Sequence, residues 1–381
     1  MVPARKEEMH MHTARRIPLL VATAAVLFAA GCGTGATSAP SAAPAQPSAV
    51  PSAAPASSAP SAAASAAASA AASTAPAASS AAAATGVLKV ALVAPSSRSD
   101  LSWTQTMVAA LQKLQTSDNL QVSISDNQFV VSDAGNIIRQ YASEGYNLII
   151  AHGSQYGSTI QQLAPQFPKV SFAWGTAGST FNLPNVFAYL AAANEGGYVE
   201  GAMAAMLSKS HVLGAIGPIA AGDDKLFIDG FVAGAKSVDK TVTIHPVYTG
   251  SYSDASLYAT AAKTFVAGGA DVLAGTTQAS SGAIGVARQD NLPWFGNDWP
   301  MDTLAPKNVV ATEVYDWTSA LHQMFTEIRG GTLGGATYSI TLGNGGEVIQ
   351  FNPNYPLPAS VKAKAESLIK GITDGTITPP Q

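Results

Sequence analysis

The sequence predicts an α/β fold in which two doubly wound, parallel-sheet lobes are joined by a hinge. Two features of the residues after position 85 carry this prediction. Short apolar segments alternate with segments whose apolar residues have helical spacing. The apolar segments are wholly hydrophobic, which is typical of parallel strands covered on both faces. The alternation runs through two successive series that meet near residues 186–193, so we expect two sheets with a cleft between them.

The elements follow in order along the chain. The first series has predicted strands at 88–93, 122–125, 148–151 and 170–174 and predicted helices at 103–115, 134–144 and 158–167. The second has strands at 212–216, 242–247, 272–274 and 294–296 and helices at 225–238, 256–266 and 282–289. A later strand at 309–313 and a helix at 318–329 are predicted to bring the chain back to the first lobe. Residues 338–351, with their Gly-Asn-Gly-Gly turn, are typical of a hairpin.

The first 31 residues have the pattern of an export signal. Basic residues lie within the first 16 positions, residues 17–30 form an apolar run, and small residues directly precede Cys32. The run is shorter than the about 20 residues that span a bilayer. Its Ala-Ala-Gly-Cys ending resembles the bacterial lipobox, which implies cleavage before Cys32 and acylation of that residue, for example with palmitate. The alternative is an ordinary secretory signal with a free thiol.

Residues 33–85 are almost entirely Ala, Ser and Pro. Such a segment has too little apolar bulk to offset the entropy of ordering, and its prolines favour an extended chain. It is predicted to be a tether between a lipid anchor at Cys32 and the folded body. We therefore expect a signal peptide over 1–31 and a lipidated cysteine with a disordered tether over 32–85. The remaining ranges are a first lobe from 86–190 and 315–335, a second lobe from 191–314 and 336–351, and a C-terminal tail with a helix over 352–381.

Composition and motifs exclude several classes of function. The net charge is −4, charged residues make up 12 %, and the body has no basic block, so no nucleic-acid partner is expected. Cys32 is the only cysteine, which excludes a disulfide or a cysteine-based metal site within one chain. The body lacks a phosphate-binding loop, a nucleophile elbow and a paired-histidine zinc motif. We therefore expect no enzyme, no cofactor and no metal.

Candidate ligand-binding residues lie in the loops that follow the strands, because open α/β sheets bind ligands beyond the carboxyl ends of their strands. Trp103 offers a rigid aromatic face, and Phe227 of the second lobe is predicted to oppose it, so that a flat ligand stacks between them. Asp100 and Asp298 are predicted to accept hydrogen bonds from hydroxyl or ring N–H groups of the ligand. The alternatives are that both rings belong to the core and that Asp100 caps a helix.

Three further residues complete the site predicted from strand ends. Trp174 and Trp299 also follow strands on the expected side, and Gly153 is placed to supply a backbone donor. Arg98 and Lys225 are the only cations in these loops, which favours an uncharged ligand over a phosphate.

One central segment is similar to a known family. Asn185-Val-Phe-Ala-Tyr-Leu, followed by Asn-Glu-Gly-Gly-Tyr-Val-Glu-Gly-Ala-Met-Ala-Ala from position 194, resembles the signature of the basic membrane lipoprotein (BMP) family. These are substrate-binding lipoproteins of certain ABC importers, and their best-known members bind purine nucleosides. Supporting matches lie at residues 100–103, 148–153, 227–234, 268–272 and 295–298.

The resemblance implies a type I periplasmic-binding-protein fold that closes around a nucleoside-like solute. It also implies ABC permease subunits as partners and a lipid-anchored position on the extracytoplasmic face of the cell membrane, and we expect a monomer. Two positions near the family's ligand depart from its pattern: Thr104 stands where Asn is usual, and Tyr315 stands where a Lys is common. Sugar binding by the same fold, or a sensing ectodomain that reports to a membrane receptor, remain alternatives.

Overall fold

The computed structural model describes residues 86–381. The predicted signal peptide, lipidated Cys32 and tether lie outside the described residues. Within them, we find no helix long and apolar enough to cross a membrane.

The described chain contains two runs of alternating strands and helices followed by a third, shorter part. The first run is β1 (Leu88–Val93), α1 (Trp103–Leu114), β2 (Leu120–Ser125), α2 (Val131–Ser143), β3 (Leu148–Ala151), α3 (Gly157–Leu163), β4 (Ser171–Gly175) and β5 (Val186–Ala191). The second run is α4 (Asn194–Leu207), β6 (Val212–Gly217), α5 (Gly222–Val238), β7 (Thr243–Tyr248), α6 (Ala255–Ala267), β8 (Val272–Gly275), α7 (Ser280–Gln289) and β9 (Trp294–Asp298). The last part is β10 (Val309–Tyr315), α8 (Thr318–Arg329), β11 (Thr337–Ile340), β12 (Glu347–Phe351) and α9 (Ala359–Thr373).

The strands form two six-stranded sheets. The first has the order β11-β5-β4-β3-β1-β2, and the second has the order β12-β10-β9-β8-β6-β7. All neighbours are parallel except β12, which is antiparallel to β10. Each sheet starts near one edge, steps outward and then reverses, which is the doubly wound arrangement. The predicted fold class is therefore confirmed, and the parts built on the two sheets are called the first and second lobes below.

Both faces of each sheet are buried, as the wholly apolar strands predict. In β3, Ile150 faces one cluster of core residues and Ile149 faces another, because successive side chains point to opposite faces. In the second sheet, Leu213 and Ile216 likewise belong to different clusters. Helices cover these faces, so the carboxyl ends of the strands and the loops after them are left free to bind a ligand.

Strand pairing corrects two predictions about the last part of the chain. β10 pairs with β9, so the strand predicted at 309–313 belongs to the second sheet and does not return the chain to the first lobe. The chain returns to the first lobe at α8, which packs on α1. The hairpin predicted over 338–351 is wrong. β11 pairs with β5 in the first sheet and β12 pairs with β10 in the second, so residues 337–340 belong to the first sheet. The glycine-rich turn is a local signal, whereas long-range pairing decides which sheet each strand joins.

Three connections pass between the lobes side by side: β5 to α4, β10 to α8, and β11 to β12. They are held together by hydrogen bonds. The Leu342 N–H donates to Glu195 Oε2 at 2.9 Å, and the Asp316 N–H donates to the Gly346 carbonyl at 2.7 Å. The predicted hinge corresponds in position to these three connections.

Helices α4 and α5 pack at backbone distance. A Cβ on Gly201 would lie 1.9 Å from the Phe231 carbonyl oxygen, and a Cβ on Gly234 would lie 1.9 Å from the Tyr198 carbonyl oxygen. Gly197 and Gly230 leave similarly little room. Glycine is therefore required at these positions, which explains its spacing in the segment that resembles the family signature.

Replacing Gly201 with Ala should destabilise the protein by about 2 kcal/mol or more, because the added methyl group meets a backbone atom that cannot move aside. Gly285→Ala is the matched control. Gly285 lies inside α7 with nothing within 4 Å of an added Cβ, so helix propensity should make that variant up to about 1 kcal/mol more stable. Urea unfolding of both variants measures the difference. Equal effects would contradict the close packing of α4 on α5.

Candidate functional site

A cavity of about 150 Å³ lies where loops from the two lobes face each other. It is lined by Pro95, Trp103, Phe129, Gly153, Ser154, Gln155, Thr176, Ile219, Ala221, Gly222, Asp223, Asp224, Tyr252, Thr277, Gln278, Asn297 and Asp298. These residues follow the carboxyl ends of strands in both sheets, as the fold predicts. Three of the predicted site residues, Trp103, Gly153 and Asp298, belong to this lining.

Trp103 begins α1 and is held rigidly by a neighbouring histidine. Its indole lies on the His152 ring with 4.2 Å between centroids and 5° between planes, and its Nε1 donates to the His152 carbonyl at 3.0 Å. Trp317 contacts it edge-on at 5.5 Å. Because these contacts fix the ring, Trp103 presents a preorganised aromatic surface to the cavity.

His152 supports Trp103 as a neutral side chain. It is fully buried, and this burial lowers its pKa to about 3. Its Nε2 lies 3.1 Å from the Trp103 carbonyl, which only accepts, so Nε2 carries the proton. Its Nδ1 therefore accepts a hydrogen bond from the Tyr189 hydroxyl at 2.8 Å. Both ring nitrogens are thus engaged within the first lobe.

Asp298, at the end of β9, joins the two lobes directly. The Ser102 hydroxyl, in the loop after β1, donates to Asp298 Oδ2 at 2.5 Å. The pKa of Asp298 is raised to about 8: burial is the main cause, the nearby charges of Asp224 and Asp100 add to it, and the Ser102 hydrogen bond acts in the opposite direction. The prediction that Asp298 faces the ligand cavity is consistent with this position.

Two more carboxyl groups line the cavity, and neither was predicted from the sequence. Asp223 and Asp224 lie in the first turn of α5. Burial raises the pKa of Asp223 well above its ordinary range and raises the pKa of Asp224 to about 7. The Thr276 hydroxyl donates to Asp224 Oδ1 at 2.8 Å. Two adjacent acids at the start of the helix that follows β6 were the signal that could have identified them.

The lining therefore carries three carboxyl groups, and no Lys, Arg or His from residues 86–381 belongs to it. Lys225 pairs instead with Asp229, one turn further along α5. Nor does the described part of the chain contain a group of three His, Cys, Asp or Glu residues arranged to hold a metal ion. The cavity is suited to a ligand that donates hydrogen bonds and carries no negative charge.

Asp100 caps the start of α1, which was the alternative to ligand binding. Its carboxylate accepts hydrogen bonds from the backbone N–H groups of Ser102, Thr104 and Gln105, at 2.9 to 3.1 Å, and from the Ser96 hydroxyl at 2.6 Å. Both oxygens are therefore used to cap the start of α1, and Asp100 is not part of the cavity lining.

The other predicted contacts also lie outside the lining. Thr104 is buried, with its hydroxyl 2.7 Å from that of Ser96. Phe227 is fully buried against Phe231 on the inner face of α5. The prediction that it lies opposite Trp103 at the ligand is therefore wrong, and Phe227 belongs to the core.

The two remaining tryptophans have different neighbours. Trp174 stacks on Phe181 at 4.6 Å. Trp299 is half-buried, and its backbone N–H donates to the Asn297 carbonyl at 3.0 Å.

Two aromatic residues that the sequence analysis missed face each other at the cavity. Phe129 follows β2 in the first lobe and Tyr252 follows β7 in the second, and their ring centroids are 6.3 Å apart. Phe129 is 57 % exposed although it is a large apolar residue. Neither residue was among the candidates predicted from the sequence, and both follow strands that the structure places at the edge of a sheet.

Two doubly wound lobes with a ligand cavity between them define a solute-binding protein of the periplasmic-binding-protein type. A family model described as ABC transporter substrate-binding protein, PnrA-like, matches residues 87–378. The chain belongs to this family, which confirms the resemblance seen in the sequence.

Individual relatives agree with this assignment. The chain is 28 % identical over 294 residues to a purine-binding protein of Brucella abortus, covering 77 % of this chain and 83 % of that protein. It is 30 % identical over 191 residues to the nucleoside-binding protein BmpA of Lactococcus lactis, covering 49 % of this chain and 54 % of the relative. A solved structure of an ABC transporter solute-binding protein from Conexibacter woesei has a similar fold, with a TM-score of 0.65 and 23 % identity over 77 % of this chain and 98 % of that one.

The contact between Ser102 and Asp298 can be tested by titration. Ser102→Ala should raise the pKa of Asp298 further above about 8, because the lost hydroxyl stabilises the charged carboxylate. Carboxyl-carbon NMR measures the shift, with Asp298→Asn used to assign the resonance. An unchanged pKa would show that the two lobes are not joined by this hydrogen bond in solution.

Proposed function

We propose that this protein captures a nucleoside-like, uncharged solute between its lobes and delivers it to the permease subunits of an ABC importer. The observation that carries the proposal is the cavity between the lobes, in which the fixed Trp103 ring meets hydrogen-bond acceptors from the second lobe. The relatives from Brucella abortus and Lactococcus lactis are a purine-binding and a nucleoside-binding protein, which supports the same class of ligand.

The aromatic and acidic groups account for complementary parts of such a ligand. A flat base can stack on Trp103, and stacking contributes about 1 to 3 kcal/mol per base in nucleic-acid binders. Carboxylates such as Asp298 accept hydrogen bonds from ribose hydroxyls or from ring N–H groups. A nucleotide phosphate would face three carboxyl groups and no cation of the cavity lining, so the nucleoside is preferred over the nucleotide.

Sugars are the second class of ligand, since aromatic faces and carboxylates also suit pyranose rings. A thermal-shift screen of nucleosides, free bases, sugars and vitamins separates the two classes. A ligand at one hundred times its dissociation constant stabilises the protein by about 2.7 kcal/mol. Stabilisation by sugars alone would overturn the nucleoside proposal while leaving the solute-binding class intact.

Trp103→Ala and Asp298→Ala should each weaken binding of the best nucleoside at least tenfold, which corresponds to about 1.4 kcal/mol. The reason is the loss of the stacking surface in one variant and of a hydrogen-bond acceptor in the other. Calorimetric titration measures both. Trp299→Ala is the control, because Trp299 is half-buried near Asp298 but does not line the cavity.

We expect less than a twofold effect from Trp299→Ala. Unchanged affinity in both test variants would place the ligand elsewhere, and a tenfold loss in the control would show that the binding surface extends beyond this cavity.

The proposal includes a lipid anchor at Cys32, which rests on the sequence alone. Cys32→Ser should release the protein from membranes, because several acyl chains are needed for stable anchoring and this variant would carry none. Fractionation followed by immunoblotting measures the distribution. Retention of the variant in the membrane fraction would show that another part of the chain holds it there.

A further inference from the structure

Two hydrogen-bond acceptors on the second-lobe side of the cavity have no donor among the described residues. Asp298 Oδ2 accepts from Ser102, and Asp224 Oδ1 accepts from Thr276. In contrast, Asp223 Oδ2 and Asn297 Oδ1 are buried, and no donor from the described residues reaches either atom. The Asn297 amide nitrogen is already used, since it donates to the Tyr315 hydroxyl at 3.0 Å.

Asp223 is the more consequential of these two residues. It is only 7 % exposed and lines the cavity, so its carboxyl group has lost water without gaining a protein donor at Oδ2. A buried polar atom without a partner is destabilising, more so when the group is charged. A bound ligand that donates hydrogen bonds to Asp223 would remove this penalty, and one without donors would leave it in place.

The start of α5 places Asp223 in the cavity lining, unlike the other acid further along the helix. Gly222, with a φ of +59°, turns the chain into α5, and Asp223 follows as the second residue of that helix. Asp229 lies further along the same helix, where it pairs with Lys225 outside the cavity lining. The same helix therefore holds one acid in the cavity and another in an ordinary ion pair.

We propose that Asp223 determines ligand specificity by accepting hydrogen bonds from two adjacent donors on the ligand. This inference rests on the proposed function. A purine nucleoside carries such a pair in two places: the 2′- and 3′-hydroxyls of ribose, and the N1–H with the 2-amino group of guanine. Either pair fits a carboxylate, whereas the Watson–Crick edge of adenine offers an acceptor at N1.

Four nucleosides distinguish the two sources of the donor pair. Guanosine carries both donor pairs, and adenosine carries only the pair of ribose hydroxyls. 2′-Deoxyguanosine carries only the N1–H and 2-amino donors of guanine, and 2′-deoxyadenosine carries neither pair. Each is titrated by calorimetry into the wild-type protein, Asp223→Asn and the control Asp229→Asn. The amide of Asp223→Asn keeps the shape of the side chain and replaces one acceptor oxygen with a donor.

The expected result is a loss that depends on the ligand. If ribose supplies the donors, Asp223→Asn weakens guanosine and adenosine at least tenfold and the 2′-deoxy forms less than twofold. If the base supplies them, the variant weakens guanosine and 2′-deoxyguanosine in the same way. Asp229→Asn should change no affinity by more than twofold.

Two outcomes overturn the inference alone: equal weakening of all the nucleosides, which indicates a structural role for Asp223, and no weakening of any. A wild-type protein that binds none of the four overturns the proposed function itself, and the inference falls with it. If Asp223→Asn fails to fold, as judged by circular dichroism, the wild-type ranking decides. The wild type must then bind 2′-deoxyadenosine at least tenfold more weakly than guanosine, and equal affinity contradicts the inference.

Discussion

The site depends on one geometric constraint, which is that the chain passes between its two sheets three times at the same place. Because β5, β10 and β11 all lead into such connections, the carboxyl ends of both sheets are turned towards one cavity. Hydrogen bonds from Leu342 to Glu195 and from Asp316 to Gly346 tie the connections to each other. A ligand placed between the lobes therefore contacts groups from both sheets.

The cavity is acidic, because three aspartates line it and no Lys, Arg or His of residues 86–381 does. Buried carboxyl groups ordinarily pair with Arg or Lys, or they take up protons. Here burial raises the pKa values of Asp224 and Asp298 to about 7 and about 8, so both groups change charge near neutral pH. A donor from the ligand stabilises the charged form, which couples binding to the release of protons.

Much of the fold could be predicted because its signals are local. The wholly apolar strand β3 and the amphipathic helix α8 have the predicted bounds. Residues 337–351 could not be assigned, because their sheets are chosen by pairing with β5 and β10, far away in the sequence. Trp103 and Asp298, which were predicted from strand ends, lie in the cavity lining. Phe227 was misplaced and Asp223 was missed, because the sequence does not show which face of α5 is turned to the core.

His152 holds the aromatic ring of the cavity in place and does not act as a base. A general base in an enzyme needs a free nitrogen and a pKa near the working pH. His152 has neither, since burial lowers its pKa to about 3 and its two nitrogens are engaged by Tyr189 and the Trp103 carbonyl. Its role is mechanical: it fixes the indole of Trp103 before the ligand arrives. That preorganisation lowers the entropy lost when a ligand stacks on the ring.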